Sequence, residues 1–121
     1  MKAKNVTIGI KSVDEALDDF VNAGEAIERG EKVKPSQGVY FTNLDAFRKA
    51  LTQRRLELLH VIKTEHPSSV THLARLVGRD VTNVADDLKY LAEIGLVELK
   101  KVRRAHVPVV DYDEISLRIA V

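Results

Sequence analysis

The chain of 121 residues contains no cysteine. That absence excludes a disulfide framework, a thiol nucleophile and a thiolate metal site, and it suits a reducing cytoplasm, the compartment expected here. Long apolar runs are missing too. No stretch approaches the length that spans a bilayer, and Met1 to Ile10 carries lysines with no apolar run behind them, so neither a membrane segment nor a signal peptide is expected. There is no glycine-rich phosphate loop, no nucleophile elbow and no paired-acid arrangement, which leaves no positive sign of an enzyme, a catalytic residue or a cofactor. His60, His66, His72 and His106 lack the close spacing with carboxylates that marks a metal site, so no metal is expected either. Internal repeats and low-complexity tracts are also lacking.

What is present is a 45% apolar content, enough to bury a core without crosslinks in a chain with room for one domain and a small appendage. The formal net charge of +1 conceals an asymmetry. Residues 1–47 carry six Lys or Arg against eight Asp or Glu, whereas residues 48–104 carry twelve against seven. A basic middle behind an acidic start suits a module that binds a polyanion, and equally suits a solvated surface of mixed charge.

Periodicity divides the chain into elements. Val6, Ile8 and Ile10 alternate with Thr7, Gly9 and Lys11, the period of a strand with one buried face. From Ser12, an N-cap residue, Val13, Ala16, Leu17, Phe20, Val21, Gly24 and Ile27 recur at helical spacing, which predicts an amphipathic helix to Glu28. Gly30, Pro35 and Gly38 mark a connection, and Val39 to Thr42 reads as a second strand. Asn43 caps a helix whose Phe47, Leu51, Leu58, Leu59 and Ile62 share one face, with a break near Thr52 and an end before Pro67.

Ser68 or Ser69 caps the next helix, with Val70, Leu73, Ala74, Leu76 and Val77 expected inward and Gly78 ending it. Asp80 caps a third, with Val81, Val84, Leu88 and Leu91 on the buried stripe and Gly95 closing it ahead of Leu96. Val97 to Val102, a basic turn, and Val107 to Val110 read as a hairpin. The tail alternates Ile115, Leu117, Ile119 and Val121 with polar or small residues and predicts a strand whose partner is the Val6 to Ile10 segment of the same or another copy.

Helix, helix, helix, strand, basic turn, strand over residues 44–111 is the order of a winged helix-turn-helix, in which the second helix of the turn enters the major groove. The predicted class is therefore mainly α with a small β-sheet, α+β. A strand-helix-strand extension occupies residues 1–43 and the DNA-binding domain residues 44–121. On the third helix Thr82, Asn83, Lys89 and Tyr90 lie off the core stripe, and Asn83 can pair bidentately with adenine. Arg79 lies just before that helix and suits phosphate or guanine. Near a helix start Thr82 and Asn83 equally suit local backbone bonding.

Lys100, Lys101, Arg103, Arg104 and His106 on the hairpin, Arg54 and Arg55 before it, and Ser69 and Thr71 at the start of the preceding helix complete the candidate DNA contacts. The plainer alternative for the hairpin is a solubilising tip. Asp86, Asp87 and Glu93 count against groove entry, since carboxylates are repelled by phosphate. They keep open a winged helix that binds protein instead.

Leu51-Thr52-Gln53-Arg54-Arg55-Leu56-Glu57-Leu58-Leu59, Ser69-Val70-Thr71-His72-Leu73-Ala74-Arg75-Leu76-Val77-Gly78-Arg79-Asp80 and Leu91-Ala92-Glu93-Ile94-Gly95-Leu96-Val97 together resemble prokaryotic winged-helix regulators of the MarR and ArsR type. The acidic start, the Phe41 strand end and the Gly78-Arg79-Asp80 turn resemble more narrowly the TumA-like antitoxins paired with TumE-type toxins. The resemblance implies a homodimeric repressor of its own promoter that neutralises a cognate toxin through its N-terminal part. The chain departs from MarR proteins in lacking a long C-terminal dimerisation helix. The tail strand, or Leu56 and Val61, are the candidates left to build a dimer.

Overall fold

The computed structural model describes residues 4–31 and 38–121, and the predicted connection through Pro35 lies outside them. The class is α+β. In chain order the elements are β1 (Asn5–Ile10), α1 (Val13–Glu28), β2 (Val39–Phe41), α2 (Leu44–Ala50), α3 (Gln53–Glu65), α4 (Val70–Val77), α5 (Val81–Glu93), β3 (Glu98–Val102), β4 (Ala105–Val109) and β5 (Glu114–Ile119). No helix among the described residues is long and apolar enough to cross a membrane. The described residues form two compact units, one of residue 4 with residues 51–113, the other of residues 5–31, 38–50 and 114–121. α1, α2 and β5 thus group with the N-terminal strands, and α3, α4, α5 and the β3–β4 hairpin form the inserted unit.

In the second unit β1 lies between β2 and β5, parallel to both. Ile8 pairs with Leu117 on one side and Val39 on the other, so the apolar members of three alternating strands share a face. Ile8 is fully buried there, and Phe41 meets Phe47 of α2 edge to face at 5.9 Å. Gly9 is required by close approach, since a Cβ at that position would lie 2.8 Å from the Tyr40 ring. The tail strand therefore finds its partner within its own chain, at the edge of β1.

Helix α1 follows its sequence signals in extent but not in burial. Ser12 Oγ accepts from the Glu15 amide, as a cap should. None of its residues is buried, and Val13, Leu17, Phe20, Val21 and Ile27 of its apolar stripe are all exposed. Amphipathic spacing specifies a stripe and not the surface that covers it.

In the other unit α3, α4 and α5 enclose Leu58, Leu59, Ile62, Leu73, Ala74, Val84, Leu88 and Leu91, with Leu96, Val97, Val110 and Tyr112 completing the core. The helix break expected near Thr52 occurs, and Thr52 Oγ1 caps α3 by accepting from the Arg55 amide. Two expected core residues, Leu76 and Val81, are instead exposed. Leu76 lies about 100° around the wheel from the centre of the stripe made by Leu73, Ala74 and Val77, and Val81 is the first residue of its helix, beyond the packed layer. Tyr112 donates its hydroxyl to the Leu96 carbonyl at 2.8 Å, tying the end of this unit to the close of α5.

Burial, and to a lesser extent the charge of Asp111, pushes the Tyr112 phenol up to about 12. The folded state holds the phenol proton more tightly than the unfolded chain. Its contribution is therefore whole below the ordinary tyrosine value of 10.0 and is lost as pH rises through the folded value. We expect Tyr112→Phe to cost about 1–2 kcal/mol in urea unfolding, because the Leu96 carbonyl loses its donor, and to remove the alkaline fall in stability. An alkaline profile unchanged in the variant would assign that fall to another group.

Candidate functional site

The surface chemistry of residues 51–113 is organised around the corner between α4 and α5. Gly78, at φ 66°, takes the left-handed conformation that ends α4, and the Arg79 amide donates back to the Ala74 carbonyl at 3.0 Å. Asp80 then opens α5, its Oδ1 accepting from the Thr82 amide at 2.7 Å. Ser69 starts α4 in the same way, and its hydroxyl accepts from the His72 amide, while His72 Nδ1 accepts from the Ser68 amide at 3.0 Å. Polar side chains at both helix starts are thus partly occupied with backbone donors.

Behind the corner lies an ionic clamp. Asp87 receives Arg79 Nη2 at 2.8 Å and Arg55 Nε at 3.0 Å, with the three side chains each no more than about one-fifth exposed. Arg55 also stacks over the Tyr90 ring at 4.3 Å. Burial pulls the Asp87 carboxyl upward, and the hydrogen bonds from the two arginines more than reverse it, leaving its pKa below the ordinary carboxylate value. Of the three acids that opposed contact with phosphate, Asp87 is thereby turned inward and neutralised, whereas Asp86 and Glu93 remain exposed. The wheel carries the signal for this difference, since Asp87 lies about 40° beyond Leu91 at the edge of the buried stripe, whereas Asp86 and Glu93 lie on the opposite side of the helix.

The sequence-derived candidates separate into three groups. Arg79, Arg55 and Tyr90 belong to the clamp. Thr82, Asn83 and Lys89 are exposed on α5, and Arg54 and Thr71 are exposed on α3 and α4. Ser69 is half-buried at its cap.

The third group is the β3–β4 hairpin, an antiparallel pair in which Lys101 faces His106 and Val102 faces Ala105. Lys100, Lys101, Arg103, Arg104 and His106 are all exposed on it, and no carboxylate of a described residue forms an ion pair with the four Lys and Arg side chains. Arg103 holds φ at 57° in the turn, a left-handed position where glycine is cheaper. A bulky cation is kept at a backbone site that opposes it.

The HVO_A0114 family profile matches residues 50–117 of the chain, which spans the three-helix unit, the hairpin and the start of β5. None of the curated proteins compared with the chain matches it.

Removing the clamp's anion strands two largely buried cations. We expect Asp87→Asn to lose about 1–3 kcal/mol at pH 7 by urea unfolding. Because the folded carboxyl titrates below its ordinary value, the stabilisation is present above about pH 4 and disappears as pH falls through the folded value. The gap between the natural protein and the variant should close accordingly on acidification. A gap independent of pH would attribute the loss to packing.

Proposed function

The chain belongs to the HVO_A0114 family, and we propose that it is a cytoplasmic, sequence-specific double-stranded DNA-binding regulator acting as a dimeric repressor through a winged helix-turn-helix at residues 51–113. The observation that carries this reading is the hairpin. Four exposed Lys and Arg side chains free of described carboxylate partners, one of them on a strained turn, make a surface fit to displace counterions from phosphate. In this reading α5 is the recognition helix and the β3–β4 hairpin the wing. Thr82 and Asn83 meet base edges from the first turn, Lys89, Arg54 and Thr71 meet phosphate, and Arg79 and Arg55, gripped by Asp87, hold the helix in position.

A homodimer belongs to the same reading, because one short helix reads only a half-site. Leu56, exposed on α3, and Val61, half-buried, are apolar positions outside the main core that suit such a contact. A second reading is favoured by a separate observation. The uncovered apolar stripe of α1 supports a protein-interaction module that neutralises a partner, such as the cognate toxin of an antitoxin. The two activities are compatible in one chain.

Genomic fragments bound by the protein would supply the operator, and anisotropy measured across a salt series would then test the wing. Arg104→Ala should reduce the slope of log affinity against log salt by about one unit and weaken all sequences alike. Asn83→Ala should relax preference at one base pair, by about 1–3 kcal/mol. Arg103→Gly separates fold from function: relief of the left-handed strain should raise stability by about 0.5–1 kcal/mol while DNA affinity falls. Unchanged affinity and salt slope in both arginine variants would end the repressor reading.

A further inference from the structure

Helix α1 presents an apolar stripe that no described residue covers. Phe20 is 77% exposed, Ile27 64%, Val13 59%, Leu17 57% and Val21 53%, and the helix buries no residue at all. Together these side chains offer about 500 Å² of apolar surface, at the upper end of what a monomer usually leaves in water. Val13, Leu17, Phe20, Gly24 and Ile27 recur at alternating spacings of four and three, so they form one seam along about 21 Å of helix. This is the anchor pattern by which an amphipathic helix is held by another protein surface.

The charges around the seam say what that surface carries. Asp14, Glu15, Asp18, Asp19, Glu25 and Glu28 lie within α1, and no Lys or Arg does. At 100° per residue Asp14, Asp18, Glu25 and Glu28 line one flank of the stripe. The neighbouring cation Lys11 is ion-paired with Asp19 and stacked over Tyr40 at 4.4 Å. A second copy laid antiparallel against the stripe would bring like flanks together, and a parallel one would leave the acidic flank facing Ala16 and Ala23 with no cation to pair it. The seam, at little more than two heptads, is also short for a self-associating coil.

We propose that the α1 stripe is a docking surface for a different protein, one that presents an amphipathic helix with apolar side chains flanked by Lys and Arg. The proposal deepens the second reading above and is independent of DNA binding. Cations flanking the partner's seam convert the repulsion between like flanks into attraction, and the apolar seam supplies burial that neither surface has alone.

Two synthetic 18-residue helical peptides serve as probes against the full chain, one with a leucine seam flanked by lysines and one with glutamates in place of the lysines. By fluorescence anisotropy the lysine peptide should bind at least tenfold more tightly than the glutamate peptide. Phe20→Asp and Leu17→Asp should each lower its affinity at least tenfold, Phe20→Leu should preserve it, and Asp14→Asn with Asp18→Asn should weaken it several-fold. Circular dichroism should match the natural protein in every variant, since the substituted positions are exposed. Lysine-peptide affinity unaffected by Phe20→Asp and Leu17→Asp would reduce the interaction to bulk charge and overturn the proposal. So would a dimer in sedimentation equilibrium that Phe20→Asp converts to monomer, since the stripe would then belong to a second copy. Peptide binding in a protein that fails to bind DNA would sustain this proposal while ending the repressor reading.

Discussion

Two arginines sharing one carboxylate hold the part of the molecule that carries its surface chemistry. Asp87 lies on α5, Arg79 in the turn just before it and Arg55 on α3, so a single anion joins the α4–α5 corner to a helix 32 residues earlier. A carboxylate in that place satisfies two cations that burial would otherwise penalise, and the Arg55 stack on Tyr90 extends the contact along α5. With the helix held in this way its outer face, including Thr82 and Asn83, is left to solvent. The acid that most threatened an anionic ligand becomes part of the support.

The same unit shows a division between elements that satisfy themselves and elements that do not. Its helix ends are closed locally: Ser69, Asp80 and Thr52 cap the starts, and Gly78 and Gly95 accept the left-handed turns at the ends. The hairpin, by contrast, places Arg103 at φ 57° and exposes four Lys and Arg side chains without carboxylate partners among the described residues. Helix α1 of the other unit has a sound cap and an apolar stripe, yet none of the described residues buries that stripe. Departures from local consistency of this kind concentrate where a surface serves something other than folding.

Much of the architecture was legible in the residues. Each helix and each strand was signalled by its period and its caps, and the Thr52 break and the tail strand were readable because capping and alternation act within a few residues. The candidate site was legible only as a set of exposed side chains. Nothing in linear spacing separates Arg79 and Arg55, which are committed to Asp87, from Arg103 and Arg104, which are not. The burial of Leu76 and Val81 was misjudged for a related reason: periodicity identifies a face, whereas burial requires a neighbour.

Sequence by itself therefore determined where the helices and strands begin and end, that no cysteine chemistry is available, and that the middle of the chain is basic. Those properties depend on residues near one another or on composition. The tertiary structure alone decided that β5 pairs with β1 of its own chain and runs parallel to it, that one acid of three is neutralised, and that the α1 stripe is exposed among the described residues. Each of these depends on which distant surfaces meet, and contact over long separations is set by the packing of the whole chain.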